Sequence, residues 1–81
     1  MLEIDGEEVL TVEGLDDALI GITTMWAGDK VVLRAVYNVN DVHTILMREG
    51  MSPKEAVKYF SFNFEKAYVG EQAPVWVYQI W

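Results

Sequence analysis

The six residues Gly50-Met51-Ser52-Pro53-Lys54-Glu55 constrain this chain more tightly than any other stretch. A glycine closes one helix, and two residues later a second helix begins. Gly50 supplies the left-handed conformation that ends a helix. Ser52 is a helix N-cap, Pro53 fits the first turn where no amide partner is needed, and Glu55 reaches back to complete a capping box. Upstream, Asn38 or Asn40 caps a helix running to Glu49, with Val42, Ile45, Leu46 and Glu49 on one stripe. Downstream, the second helix runs to about Lys66 or Ala67. Two helices joined so closely form a hairpin, and its apolar face needs a cover.

The rest of the chain supplies that cover as strands. Leu2-Glu3-Ile4 enters a tight Asp5-Gly6 turn, and Glu8 to Val12 returns. Leu19 to Met25 reads as a buried strand rich in Ile and Thr, with Asp16-Asp17-Ala18 as an alternative helical turn before it. Trp26 to Lys30 forms a turn around Gly28-Asp29. Val31 to Tyr37 is the clearest strand, and it pairs with the strand before it as a hairpin. Gly70 and Pro74 bound a loop, and Val75 to Ile80 closes the chain as a strand with large apolar groups on both faces. The expected fold is α+β, a small antiparallel or mixed sheet packed against a two-helix hairpin. Its 81 residues form a single domain, with residues 1–14 as an acidic, hairpin-like extension.

Composition narrows the functions available. There is no cysteine, hence no disulfide and no thiolate chemistry. No run reaches the ~18 apolar residues of a membrane span, and the acidic start lacks the form of a signal peptide, so a cytoplasmic location is expected. Residues 1–29 carry eight acids and no base, whereas residues 30–81 carry five acids and six bases; −8 and +1 give the net −7. Nucleic acid and anionic membrane surfaces are excluded as partners, because both need clustered Lys and Arg. The acidic third suits a basic surface on another protein.

Candidate chemistry is sparse. His43 is the lone histidine and flanks the apolar stripe, which reads as an exposed surface residue. One histidine with no His-Glu-x-x-His pattern makes no metal site. Asp16 and Asp17, if on a strand, point to opposite faces and do not form an acid/base pair. The acids near Asp5 lack the ligand offsets of a calcium loop. Ser52 has no base nearby in sequence, and no phosphate-binding glycine motif is present. No enzyme, cofactor or metal is expected. Asn63 stands out because Ala56, Phe60, Asn63 and Ala67 share one helical face. A carboxamide in an apolar stripe needs partners, either the backbone near Gly70 to Pro74 or a ligand.

Three Trp, four Tyr and three Phe are many for so small an interior. Some are expected at a surface used for self-association or a partner. Trp76 and Trp81, on the last strand, are candidates for pairing between chains if that strand lies at a sheet edge.

Several segments recur together: Asp17-Ala18-Leu19-Ile20-Gly21, Val36-Tyr37-Asn38, Gly50 to Ala56, Phe62-Asn63, and Ala67-Tyr68-Val69-Gly70-Glu71 followed by Pro74. In this order the chain, from about Leu15 to Val77, resembles a family of short, uncharacterised proteins carried by bacteria and their phages. The resemblance brings no activity and no catalytic residues. It implies a small accessory protein of a phage or mobile element. It also points to Asn63, Tyr68, Gly70, Glu71 and Pro74, with Asp17 and Gly21, as positions that meet around one loop. Two functions follow as expectations. One is a non-enzymatic interaction protein that forms homo-oligomers and binds a host protein, acidic mimicry of nucleic acid being one form of it. The other is a small-molecule binder, for instance of a nucleotide, with a pocket at a subunit boundary. For the second, Arg34, Arg48, Lys54 and Lys58 are the only cations near the helices that could face a phosphate.

Overall fold

A computed structural model describes residues 2–80. The elements follow the expected order: β1 (Leu2–Ile4), β2 (Glu7–Val9), a short 3-10 turn (Asp16–Ala18), β3 (Leu19–Ala27), β4 (Lys30–Asn38), α1 (Val39–Arg48), α2 (Pro53–Phe60) and β5 (Val75–Val77). The fold is α+β. The strands make two sheets: a β1-β2 ribbon and a mixed sheet in the order β3-β4-β5.

Turn chemistry sets both hairpins. Asp5 and Gly6 have φ of 49° and 82°, the double positive φ of a tight hairpin turn whose twist matches its strands. Between β3 and β4 the turn is shorter than Trp26 to Lys30. Trp26 and Ala27 stay in the strand, paired with Val31 and Lys30, and Gly28 at φ 68° opens the turn. β4 and β5 are parallel, with Val36, Tyr37 and Asn38 opposite Val75, Trp76 and Val77. A parallel pair requires a crossover, and α1 and α2 are that crossover.

Both helix starts form as their sequences dictate. The Asn38 Oδ1 accepts from the Asn40 amide at 2.9 Å, while its Nδ2 donates to Gln79 Oε1 at 3.0 Å. One buried side chain thus caps α1 and ties down the chain after β5. At α2, Ser52 Oγ accepts from the Glu55 amide at 3.2 Å and Glu55 Oε1 accepts from the Ser52 amide at 2.9 Å. These bonds hold the Glu55 carboxyl below its ordinary pKa.

One core lies between the mixed sheet and the helices. It joins Ala35 and Tyr37 of β4, Val39, Val42 and Leu46 of α1, and Ala56 and Phe60 of α2. Phe60 meets the rings of Trp76 at 5.1 Å and His43 at 5.5 Å, both edge-on. Burying a side chain of this size contributes about 2–3 kcal/mol. The acidic N-terminal stretch is partly structural: Val9, Val12 and Leu15 are in the same core.

After Phe60 the helix widens. Ser61–Glu65 is a π turn, closed by the Lys66 amide donating to the Ser61 carbonyl at 3.1 Å. An extra residue per turn rotates everything beyond it relative to an α-helix. Phe64 is therefore the residue that follows Phe60 into the core, with ring centroids 6.4 Å apart. Asn63, placed on the buried stripe by α-helical spacing, is exposed instead.

Candidate functional site

The loop after the π turn and the segment after β2 enclose a hollow of about 410 Å³. Leu10, Thr11 and Val12 form one wall; Tyr68, Val69 and the Glu71–Pro74 run form the other. Each wall is pinned to the sheet by a side chain of β4. The fully buried Tyr37 accepts a hydrogen bond on its hydroxyl from the Val12 amide, at 2.8 Å. Arg34 donates through Nε to the Ala73 carbonyl. The walls are also tied to each other, because Gln72 Nε2 donates to the Glu8 carbonyl at 3.1 Å.

The loop itself reverses at Gly70. Its φ of 113° lies in a region that side-chain-bearing residues rarely adopt. The Ala73 amide then closes the turn on the Gly70 carbonyl at 3.2 Å, and Pro74 is buried beyond it. Tyr68 stacks on Phe64, centroids 6.3 Å apart. Glu71 pairs with Lys30 at 3.5 Å, both side chains well exposed, a contact of little energetic weight.

Burial raises the Tyr37 phenol above its usual pKa; the Val12 amide opposes this, and Asp16 and Tyr68 add to it. No lysine or arginine lines the hollow. It can receive an apolar group; the two cations that adjoin it are already engaged, Lys30 by Glu71 and Arg34 by the Ala73 carbonyl. Among the described residues no group of three His, Asp or Glu could hold a metal ion, and no helix is long and apolar enough to cross a membrane.

The positions expected to converge on one loop are dispersed. Tyr68, Gly70, Glu71 and Pro74 do build this hollow. Asn63 lies in a separate shallow groove with Met51, Glu55, Lys58, Tyr59 and Phe62, and its Nδ2 donates to the Tyr59 carbonyl at 3.1 Å. It satisfies its own helix and not the Gly70–Pro74 loop, because the π turn swings it outward. Asp17 lies in a small third depression with Asp41 and Arg48. Trp76 is at an edge strand, as anticipated, but its ring turns inward onto Tyr37, Phe60 and Phe64. Trp81 lies outside the described residues.

His43 also departs from the expectation of an exposed surface residue. It is half-buried, its Nε2 is shielded without a hydrogen-bond partner, and desolvation lowers its pKa. Phe60 covers it, a contact between helices that a single-helix projection does not contain. Tyr37 and Arg34 gave no signal in sequence of their role as the two pins of the hollow; Tyr37 stood out only within the Val36-Tyr37-Asn38 segment and Arg34 only as a cation near the helices. Their partners are 25 and 39 residues away along the chain. Comparison with family models, with curated proteins and with solved structures finds no match to this chain.

Proposed function

We propose that this chain is an interaction protein without chemistry of its own, which self-associates and binds a host protein in the cytoplasm as an accessory of a phage or mobile element. The observation that carries the reading is the set of aromatic side chains outside the core. Trp26 is 74% exposed and Phe62 is 67% exposed, and Tyr59, Tyr68 and Tyr78 are exposed as well. A single chain that leaves this much ring surface in water gains by covering it with another molecule. The acidic N-terminal third, with Glu3, Asp5, Glu7 and Glu8 on or beside the β1-β2 ribbon, favours a partner with a basic surface. The phage or mobile-element setting is supported by the sequence resemblance.

Cross-linking in host lysate followed by peptide mapping tests this. Cross-links on this chain should concentrate near Trp26, the Tyr59–Phe62 groove and the acidic ribbon. A protein that stays uncomplexed in lysate and in concentrated solution refutes the reading.

The hollow between Leu10 and Pro74 favours a second reading, a small-molecule binder such as a nucleotide-sequestering protein. Its volume is that of a small-ligand site. Its uncharged lining suits the base of a nucleotide better than its phosphates, whose cations must then come from another subunit. A thermal-shift screen of nucleotides decides: a concentration-dependent rise in Tm establishes this reading, and no shift removes it.

A further inference from the structure

β3 is the longest strand together with β4, nine residues from Leu19 to Ala27, and it lies at the edge of its sheet. β4 covers one of its sides, and no other element among the described residues pairs with the other. Sheet proteins protect such an edge with a charge, a proline, a strong bulge or a short strand. The opposite edge, β5, is short, at three residues. β3 has almost none of these devices. Leu-Ile-Gly-Ile-Thr-Thr-Met-Trp-Ala holds none of the chain's 13 acids, none of its six bases and neither proline. Its single irregularity, between Leu19 and Gly21, falls at one end and leaves Gly21–Ala27 regular.

The uncharged edge admits a second copy as the occupant. Two copies each carrying a net −7 repel overall, and a strand edge without charges adds no local like-charge contact to that repulsion. The β3 edge is of this kind. A strand paired antiparallel with its own copy is also self-complementary, as a two-fold interface must be. The middle of Gly21–Ala27 is Thr24. With the axis there, Thr23 opposes Met25 of the other copy on one face, and Ile22 opposes Trp26 of the other copy on the face shared with Thr24. An aromatic ring directly opposite a β-branched side chain is a stabilising cross-strand pair. Trp26, with the most exposed ring among the described residues, then has a partner it lacks in the single chain.

We propose that two copies join edge to edge through β3, antiparallel about an axis at Thr24, so that the two mixed sheets become one continuous sheet and each Trp26 packs on Ile22 of the other copy. This deepens the self-association part of the reading above and rests on it. The interface is a short strand pair with two aromatic anchors, at the small end of specific interfaces, so dimerisation in the micromolar range is expected.

The experiment is sedimentation equilibrium over a concentration series, with far-UV circular dichroism to confirm folding. Wild type should double in mass as concentration rises. Thr24→Lys and Thr24→Glu each place like charges face to face on the axis and should stay monomeric. Thr24 is exposed, so neither should unfold. A 1:1 mixture of the two variants should recover the dimer, because opposite charges now face each other. Trp26→Ala should weaken the dimer at least tenfold, and Phe62→Ala, on the helical side, should leave it unchanged. Hydrogen exchange in β3 should slow as concentration rises. A monomeric wild type overturns the proposal while leaving hetero-association intact. A dimer that survives Thr24→Lys also overturns it and moves self-association to another surface. Should both Thr24 variants unfold, the decision passes to Trp26→Ala and to β3 exchange, where no change in either overturns the proposal.

Discussion

Replacing Tyr37 by phenylalanine removes one oxygen and nothing else from the middle of the core. The ring keeps its place against Trp76, 5.4 Å away, so no cavity opens. What is lost is the acceptor of the Val12 amide, in a place where both groups are buried. A buried amide left without a partner costs about 1–3 kcal/mol. A single neutral hydrogen bond of this kind places the expected value in the lower part of that range, about 1–2 kcal/mol. For a chain of this size that lowers Tm by roughly 4–16 °C. In urea, with a slope of about 1 kcal/mol per molar, the midpoint falls by about 1–2 M. Chemical denaturation gives the total, and amide exchange at Val12 gives the location, since that one amide should lose protection beyond the global change. Tyr68→Phe, at an exposed hydroxyl, is the control and should cost under about 0.5 kcal/mol. A midpoint unchanged by Tyr37→Phe, or a Val12 amide as protected as before, would refute the role of this bond in holding the wall of the hollow.

The remaining expectations concern the cap, the second pin and the half-buried histidine. Ser52→Ala removes the capping oxygen of α2 and should destabilise by about 1 kcal/mol in thermal melts. Arg34→Met releases the Ala73 carbonyl, and should cost about 1–2 kcal/mol with faster exchange confined to the Gly70–Val75 region. His43 is the only histidine, and burial lowers its folded-state pKa below 6.5. The unfolded chain therefore takes up the proton first. The stability tied to this group is complete above pH 6.5 and is lost as pH falls toward the folded-state value. Tm should decline from about pH 7 to pH 5, and His43→Leu should flatten that part of the profile. A wild-type profile already flat there would show that the ring is solvated.

Most of what was legible before the structure is local. The Asp5-Gly6 turn, the Gly50 stop and the Ser52–Glu55 capping box act over four residues or fewer, so their side chains and backbone needs are adjacent in the chain. The site was only half legible. Tyr68, Gly70, Glu71 and Pro74 form one wall of the hollow because they form one loop. The other wall was hidden in the acidic N-terminal stretch, where Val9 and Val12 belong to the core despite the charges around them. Asn63 misled because a 3.6-residue period was carried past Phe60, where the turn widens.

The sequence alone determined the order of the elements and the acidic balance of the chain, since each depends on neighbours along the chain or on simple sums. Tertiary structure decided that β5 lies parallel to β4, that Tyr37 and Arg34 hold two distant segments, that Trp76 turns inward, and that β3 is left with a bare edge. Each of those depends on groups brought together from far along the chain. Their pairing is chosen by which surfaces can be buried together, and no periodicity along the chain records that choice.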